Sequence, residues 1–376
     1  MAKFSLNPTD LKLLIALQEQ PTAPYTTLAQ KMGLSPQTIS HRLQRLRERG
    51  HGKVKAAIDS DVLNLEYINV LLEVTSLNKI PKIEKLVEVH PYGLYRSRCF
   101  GSFNGAFLQF RIPKGSRKAL LVMLDRLKAA GIIRKKSEIP TIGRTIYTRP
   151  QLAFWNPEDY EWEFSWLEWM NGEVLESNPL FDENNLTERP KKEVTLLDKL
   201  DYIDMHLLRY LTIDARQKQR QITKAVNKDI HSQIPPQRIN ERLKYLMDHA
   251  VRDYRVFVKW NVLDIYSTVL LVCEATPSAV DYFRKRLIEN PPPFDTAFYL
   301  TTNGFMWFVR CPSSHLSGLT EILAEKVSNL SLNVLDYRHT QLYWFWPGIY
   351  DKETKSWKVS ESFMVDEPLS SIGIAN

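Results

Sequence analysis

An internal repeat is the feature of this sequence that most constrains its fold. The segment PQTISHRLQRL at residues 36–46 recurs as PQRINERLKYL at residues 236–246. Three further pairs occur in the same order, namely residues 10–17 with 204–211, 104–105 with 303–304, and 151–155 with 341–345. Because four ordered matches are improbable by chance, the chain is interpreted as a tandem duplication, roughly residues 1–170 and 196–365.

Each repeat begins with a pattern of short helices. In repeat one, residues 7–9 supply an N-cap and an early proline, and Gly33 ends a second helix. Ser35 then caps a third helix, on which Ile39, Leu43 and Leu46 share one face. A short helix, a glycine turn and a second helix predict a helix-turn-helix. Repeat two keeps this pattern with a six-residue longer approach to its third helix.

The second part of each repeat alternates strands and helices in the order βαββαβ, which predicts a ferredoxin-like sandwich. In repeat one we expect strands at 67–74, 94–100, 106–112 and 135–147, with helices at 80–89 and 116–130. Repeat two is expected to have strands at 267–274, 296–300, 305–310 and 333–343, with helices at 279–288 and 316–329. Asn104-Gly105 is typical of a two-residue hairpin turn.

The predicted fold class is therefore α+β, with two tandem copies of a winged helix-turn-helix joined to a ferredoxin-like βαββαβ sandwich. The expected domains are helix-turn-helix units at 1–60 and 196–262, ferredoxin-like domains with aromatic extensions at 61–170 and 263–364, an acidic linker at 171–195, and a loose tail at 365–376.

Charge is distributed unevenly along the chain. Residues 1–60 carry nine basic against four acidic residues, and residues 201–260 carry twelve against seven, so each segment has a net charge of +5. Residues 154–195 carry three basic against eleven acidic residues, a net charge of −8. Two basic patches that coincide with the two helix-turn-helix segments indicate a polyanionic partner.

Other sequence features exclude several classes of protein. No apolar run is long enough for a membrane span or a secretory signal, and Cys99, Cys273 and Cys311 lack metal-ligand spacing. Buried free thiols fit a reducing, cytoplasmic environment. There is no glycine-rich phosphate loop, HExxH or nucleophile elbow, so neither enzymatic activity nor a cofactor or metal is expected.

Two segments carry a family resemblance. LAQKMGLSPQTISHRLQRL at residues 28–46 and AIDSDVLNL at residues 57–65 resemble the Lrp/AsnC family of transcription regulators. The resemblance implies a DNA-binding helix-turn-helix joined to a ferredoxin-like domain that dimerises and often senses amino acids. The family usually has a glycine followed shortly by an aspartate before the hairpin strand. Here Gly101 is followed by Asn104, so the effector loop departs from the family pattern.

The third helix of each repeat is predicted to read bases in the major groove, because its exposed face offers donors and acceptors. The predicted base-reading residues are Gln37, Thr38, His41, Gln44 and Arg45 in repeat one, and Gln237, Arg238, Asn240, Glu241 and Lys244 in repeat two. Ser35, which caps the third helix, is also predicted to contact DNA. Nearby cations suit phosphate contacts, namely Arg47, Arg49, Lys53 and Lys55, with Arg216, Lys218, Arg220 and Lys224. Arg42 and Arg242 fit either a phosphate contact or an internal ion pair.

The aromatic extensions invite a second interpretation. Seven tryptophans lie there, namely Trp155, Trp162, Trp166, Trp169, Trp344, Trp346 and Trp357. Acidic neighbours of the first four would repel a nucleic-acid backbone. Packing against the ferredoxin-like sheet or the other repeat is therefore expected rather than base stacking.

The sequence thus predicts a sequence-specific transcription regulator whose partner is double-stranded DNA. The two repeats could pair within one chain, while pairing of two chains and a small-molecule effector are left open. One alternative is a siroheme-decarboxylase-like tetrapyrrole enzyme on the same fold, for which the candidate residues are His90, Tyr92, Tyr95, Arg96 and Arg98. Another is an architectural chromatin protein that binds DNA without sequence preference.

Overall fold

The computed structural model describes residues 6–172 and 195–374 and confirms the predicted α+β fold. Most of the predicted acidic linker lies outside the described residues. The chain divides into two compact units. Unit 1 comprises Met1–Val54, Thr141–Glu188 and Arg255–Tyr337, and unit 2 comprises Lys55–Pro140, Arg189–Tyr254 and Arg338–Asn376. Each unit therefore combines the helix-turn-helix of one repeat with the ferredoxin-like domain of the other.

The first helix-turn-helix, in unit 1, has three helices, α1 Pro8–Glu19, α2 Tyr25–Met32 and α3 Pro36–Glu48. They are followed by the strand β1, Lys53–Ile58. Asn7 caps α1 by accepting a hydrogen bond from the Asp10 amide, and Leu13, Leu14 and Leu17 of α1 are fully buried. The caps and the apolar spacing predicted from the sequence are therefore present.

The ferredoxin-like domain of unit 2 follows the predicted βαββαβ order. Its elements are β2 Leu65–Val74, α4 Ile80–Val89, β3 Gly93–Gly101, β4 Gly105–Pro113, α5 Arg117–Ala129 and β5 Ile133–Ile139. The antiparallel sheet has the order β5-β2-β4-β3. Buried apolar residues of β2 and β4, including Val70, Leu72 and Leu108, pack against α4 and α5 because alternate side chains point to the helix-covered face.

The single extended segment predicted at 135–147 is two strands. The chain leaves β5 before Pro140 and forms a new strand, β6 Thr141–Thr148, which belongs to unit 1. A proline cannot donate a ladder hydrogen bond, so it interrupts the pairing at this point. The first extension then forms a small hairpin, β7 Trp155–Asn156 with β8 Glu161–Trp162, and the helix α6, Trp166–Asn171.

The second helix-turn-helix, in unit 2, contains α7 Tyr202–Asp214, α8 Gln219–Asp229 and α9 Pro236–His249, followed by β9 Val251–Phe257. A capping box begins α7, since Asp201 and Asp204 bind each other's backbone amides. The core of unit 2 is continuous between this helical bundle and the second extension, because Leu207 and Leu246 belong to the same apolar cluster as Phe345 and Trp357.

The ferredoxin-like domain of unit 1 contains β10 Ser267–Glu274, α10 Pro277–Glu289, β11 Asp295–Thr301, β12 Gly304–Cys311, α11 Leu316–Ala324 and β13 Asn329–Leu335. Its sheet has the order β13-β10-β12-β11-β6, so a strand from repeat one extends the sheet of repeat two. The helix α11 ends five residues before its predicted end. Trp307 is fully buried against Trp166 and Trp169 of the first extension, and fully buried Phe298 packs on Trp307.

The second extension mirrors this exchange. The short strand β14 Gln341–Leu342 pairs with β3, and β15 Tyr350–Asp351 forms a hairpin with β16 Ser356–Trp357. A π-helical turn, Ser362–Asp366, leads into α12, Glu367–Ser370. The tail expected to be loose from residue 365 is instead packed, because Val365, Leu369 and Ile372 are apolar and lie in the unit 2 core.

The two extensions each place one tryptophan on the backbone of the opposite repeat. The Trp162 indole donates a hydrogen bond to the Leu263 carbonyl, and the Trp357 indole donates to the Leu63 carbonyl, both at 2.8 Å. These contacts align the extensions at an offset of 195. The match of residues 151–155 with 341–345, at an offset of 190, is therefore five residues out of register, because repeated aromatic residues gave a better local match than the hairpin pattern.

Asn104-Gly105 does not form the two-residue turn predicted from it, because Gly105 is the first residue of β4 and pairs with Cys99. The same holds for Asn303-Gly304 in repeat two. Gly304 is the first residue of β12 and pairs with Thr301, so the turn is Thr302-Asn303. A Cβ atom on Gly304 would lie 2.2 Å from the Cys273 carbonyl, and one on Gly105 would lie 2.3 Å from the Leu72 carbonyl. The glycines are needed because the neighbouring strand passes too close for a side chain.

We predict that Trp357→Phe destabilises the protein by about 2 kcal/mol, because the buried Leu63 carbonyl loses its donor. Chemical denaturation monitored by circular dichroism measures the change. Trp346→Phe is the matched control, since Trp346 is 48% exposed in the same extension. Equal effects of the two substitutions would show that the Trp357 hydrogen bond contributes nothing to stability.

Candidate nucleic-acid interface

The turn between α2 and α3 has the features that a helix-turn-helix requires. Gly33 ends α2 in the left-handed conformation, at φ +65°, where other residues are strained. The Ser35 hydroxyl then accepts a hydrogen bond from the Thr38 amide at 3.1 Å, and Pro36 occupies the first turn of α3. These residues fix the direction in which α3 leaves the turn.

One face of α3 is buried and the opposite face is open. Ile39, Leu43 and Leu46 are buried, as the sequence spacing predicts. Ser35, Gln37, His41 and Gln44 are exposed, whereas Thr38 and Arg45 are half-buried. The structure thus brings the predicted base-reading residues of repeat one onto one side of α3. The Gln44 side chain donates to Glu48 at 3.1 Å.

A buried carboxylate connects α1 to α3. Asp10 is 0% exposed, and its two oxygens bind Arg42 at 2.8 Å and Arg45 at 2.6 Å. This geometry resolves the two interpretations of Arg42 in favour of an internal ion pair. Arg45 also takes part in the pair, so one of its guanidinium nitrogens is engaged away from the predicted base-reading role.

The second helix-turn-helix reaches α9 through a longer loop. His231 adopts a left-handed conformation at φ +50°. The Asn227 side chain accepts from the Ile234 amide at 3.0 Å and donates to the Ile234 carbonyl at 3.2 Å. These two bonds hold the six-residue insertion in place, so α9 begins at Pro236 as α3 begins at Pro36.

The outer face of α9 differs chemically from that of α3. Gln237, Arg238, Glu241 and Lys244 are exposed, and Gln237 donates to Glu241 at 3.1 Å. Asn240 is only half-buried and its side-chain oxygen is fully buried, so the structure does not group Asn240 with the exposed set. Its position next to Ile239 on the helix explains this difference, because Ile239 is fully buried.

Asp204 is the repeat-two counterpart of Asp10. It is 0% exposed, and Arg242 donates to it through Nε at 2.8 Å and through a second guanidinium nitrogen. Burial raises the pKa of Asp204, although the hydrogen bond from Arg242 opposes that shift. Tyr245 stands where repeat one has Arg45, and the Arg242 guanidinium lies 4.7 Å from its ring centroid. The ion pair of Arg242 is therefore also internal.

The predicted phosphate-contacting cations differ in their exposure to solvent. Lys218, Arg220 and Lys224 are exposed at and after the start of α8, where the helix dipole also favours an anion. Arg216 is half-buried. In repeat one Arg49 is exposed and Arg47 and Lys53 are half-buried, whereas the Lys55 ammonium lies 4.5 Å from the centroid of the Trp344 ring.

His51 closes the first helix-turn-helix. It is 1% exposed, and its Nδ1 accepts a hydrogen bond from the Lys259 amide at 3.2 Å within unit 1. Burial lowers the pKa of His51 to about 4, with Lys259 and Arg49 adding to the shift. The sequence analysis did not single out this residue, and its position between two glycines was the signal for a tight turn.

The residues proposed for tetrapyrrole chemistry are engaged within unit 2. Glu84 binds Arg96 at 3.2 Å and Arg98 at 2.8 Å. The Tyr92 hydroxyl donates to the Lys358 carbonyl at 2.7 Å. His90 is buried, which lowers its pKa to about 3, and its Nδ1 accepts from the Tyr92 amide at 3.1 Å. Tyr92 and Arg96 also connect the second extension to the sheet, because Arg96 donates a hydrogen bond to the Tyr343 hydroxyl at 2.7 Å.

Within the described ranges the metal-ligating residue types are dispersed and the cysteines are buried. Residues 6–172 and 195–374 contain no cluster of three or more metal-ligating side chains. The three cysteines are buried and unbridged, and burial raises the pKa of each thiol to about 12. In the same ranges, no helix has the length and hydropathy that crossing a membrane requires.

The chain is similar to known proteins in one sequence segment and in its fold. Residues 6–47 match the AsnC-type helix-turn-helix domain. Siroheme decarboxylase NirDL is similar in structure at 12% identity with a TM-score of 0.56, covering 96% of this chain and 99% of that one. Escherichia coli AsnC matches at 14% identity with a TM-score of 0.33, covering 38% of this chain and 95% of that one. No curated protein sequence matches the chain.

One expectation from the sequence is corrected by these comparisons. The chain was not expected to be an enzyme, but the siroheme decarboxylase shares its fold over almost the whole length. The missing glycine-rich, HExxH and nucleophile-elbow motifs were therefore not sufficient grounds for excluding catalysis, because a fold by itself neither implies nor excludes an activity.

We predict that Arg242→Met destabilises the protein by about 3 kcal/mol, because it leaves the Asp204 carboxylate buried without its guanidinium. Arg42→Met should cost less, about 1 kcal/mol, because Arg45 remains on Asp10. Urea denaturation compares the two variants. Arg238→Met on the exposed face of α9 is the control, and equal losses for Arg42→Met and Arg242→Met would contradict the shared role of Arg45.

Stability should also fall on acidification. The pKa of His90 is about 3 in the folded protein and near 6.5 when unfolded, so below pH 6.5 the unfolded chain binds a proton that the folded chain excludes. Each such histidine costs about 1.4 kcal/mol per pH unit between those values. His90→Asn retains an acceptor for the Tyr92 amide. Its denaturation midpoint should fall less than that of the wild type between pH 7 and 5, and parallel curves would refute this assignment.

The resemblance predicted from the sequence is confirmed, and residues 6–47 of this chain form an AsnC-type helix-turn-helix domain of the Lrp/AsnC kind.

Proposed function

We propose that this protein is a sequence-specific DNA-binding transcription regulator that reads double-stranded DNA with two different helices. The observation that carries the proposal is the pair of exposed polar faces on α3 and α9, each on a helix whose opposite face is fully buried. A helix presented in this way can enter the major groove and place side chains at base edges.

The chemistry of the two faces supports recognition of two dissimilar half-sites. His41 of α3 corresponds to Glu241 of α9, and Gln44 corresponds to Lys244. A glutamate accepts a hydrogen bond from cytosine, whereas a lysine donates to guanine and a glutamine pairs with adenine. Two faces of such different character cannot prefer the same bases. One chain then acts as a pseudo-dimer that requires no palindrome.

The distribution of charge supports a nucleic-acid partner. The segments 1–60 and 201–260 each have a net charge of +5, and they contain both reading helices. Exposed Lys218, Arg220 and Lys224 lie along α8, and Arg49 follows α3. Contacts from these cations to phosphates would orient the protein without specifying sequence. The affinity should consequently fall steeply between about 50 and 200 mM salt.

We predict that His41→Ala and Glu241→Ala alter base preference in different halves of the bound site. Selection from a random duplex library at fixed salt measures this, and each variant should reduce discrimination at its own position by about 1–3 kcal/mol. Lys218→Ala is the control and should weaken binding to all sequences alike.

Three outcomes would contradict the proposal. If both variants change the same half-site, the two helices do not act separately. If the wild type binds every duplex equally, the protein is an architectural rather than a sequence-specific binder. An affinity that stays flat across the salt range would contradict phosphate contacts by the basic segments.

A second candidate function is tetrapyrrole chemistry. The observation that favours it is the full-length similarity in fold to siroheme decarboxylase NirDL, whose crystal structures include a complex with an iron-uroporphyrin III analogue. An absorption titration with an iron porphyrin tests it directly. Saturable spectral change that is lost in Arg96→Ala would favour this candidate, and an unchanged spectrum would remove it.

A further inference from the structure

Two tryptophans of the second extension remain exposed although most tryptophans of this protein are buried. Trp344 is 40% exposed and Trp346 is 48% exposed, whereas Trp357 of the same extension is 6% exposed. Phe345, between the two indoles, is buried, as in an extended strand with alternating faces. The two indoles therefore share one solvent-facing side, at about 6.7 Å along the chain. We call Trp344, Trp346, Phe363, Lys55 and Lys358 the aromatic platform.

The aromatic platform is held in a defined geometry. The Trp346 ring stacks on Phe363 with centroids 6.0 Å apart and an interplanar angle of 17°. The same indole rests on Gly348, where a Cβ atom would lie 2.4 Å from the ring. Phe363 is in turn fixed edge-on against buried Tyr92. The position of Trp346 is thus set by its neighbours while almost half of its surface stays open to solvent.

One cation lies beside the Trp344 indole and a second beside Phe363, on which Trp346 stacks. The Lys55 ammonium is 4.5 Å from the Trp344 ring centroid, and the Lys358 ammonium is 5.7 Å from the Phe363 centroid. Aromatic faces interleaved with cations are the pattern that binds single-stranded nucleic acid, because bases stack on the rings while phosphates pair with the charges. A purely apolar partner would not require the lysines.

The first extension shows that the fold itself does not need these indoles. At the offset of 195 defined by the two hairpins, Gln151 occupies the position of Trp346 and Arg149 that of Trp344. The first extension, at residues 154–172, contains five acidic and no basic residues, and its four tryptophans are all buried. The second extension, at residues 341–374, carries three lysines among five acidic residues. The exposed indoles therefore occur in the extension that supplies lysines, although both extensions contain carboxylates.

We propose that the aromatic platform of unit 2 is a binding site for single-stranded nucleic acid, on which two successive unpaired bases stack against Trp344 and Trp346 while Lys55 and Lys358 contact the phosphates. This site is separate from the reading helices. It does not depend on duplex recognition, so a failure of the proposed function would leave the inference open to its own test.

Fluorescence anisotropy with labelled oligothymidylate of about 12 nucleotides tests the proposal on the full-length protein at fixed salt. The double variant Trp344→Ala/Trp346→Ala should weaken binding at least tenfold. The corresponding double Trp→Phe variant should retain most of the affinity, because phenylalanine also stacks. Phe154→Ala is the matched control, since Phe154 is 38% exposed in the first extension. Oligouridylate in a parallel titration distinguishes RNA from DNA as the preferred strand.

Several results would overturn the inference. They are a wild type that does not bind either oligonucleotide, a double alanine variant that binds as tightly as the wild type, and an equal loss in the Phe154→Ala control. If the double variant weakens duplex binding to the same extent, the indoles belong to the duplex site instead. If it converts a dimer to a monomer in light scattering, the aromatic platform is a self-association surface.

Discussion

The hydrogen bond from a buried indole to the backbone of the opposite repeat is the contact on which the architecture depends. Trp162 donates to the Leu263 carbonyl and Trp357 donates to the Leu63 carbonyl, in each case within a few residues of the start of a ferredoxin-like sheet. A tandem duplication could fold as two self-contained copies. Here each extension instead completes the other copy, which is why both structural units are discontinuous in sequence. Neither repeat has its full core without the other.

Within each helix-turn-helix a buried carboxylate likewise joins two elements, here the first helix and the reading helix. Asp10 and Asp204 begin α1 and α7, and their guanidinium partners lie on the reading helices. A charge buried without a partner is costly, so the ion pair holds the reading helix in one orientation relative to the first helix. Repeat one uses two arginines where repeat two uses one arginine and Tyr245. Both copies therefore keep a buried aspartate paired with the reading helix, but the side chains that surround the aspartate differ.

Much of this structure could be predicted from the sequence, because helix caps, apolar periodicity and the strand order are local signals. The exchange of strands and extensions between the two repeats could not be predicted in this way. Residues 135–147 have one continuous β pattern, and nothing local shows that β6 joins the sheet of the other repeat. Arg45 was predicted to read bases because it lies off the apolar face, whereas its partner Asp10 is 35 residues away. Val365 and Leu369 were assigned to a loose tail because short terminal segments give too little periodicity to indicate burial.

The similarity in fold to a siroheme decarboxylase shows why function has to be argued from side chains here. A shared backbone places equivalent positions in space but does not fill them with the same chemistry. In this chain His90 is buried, and Arg96 and Arg98 are both bound to Glu84. By contrast, the outer faces of α3 and α9 keep Gln37, His41, Arg238 and Lys244 in solvent. Polar side chains that the fold leaves exposed on two capped helices are available to a partner, and those already paired in the interior are not. That difference in availability is the physical reason for preferring nucleic-acid recognition.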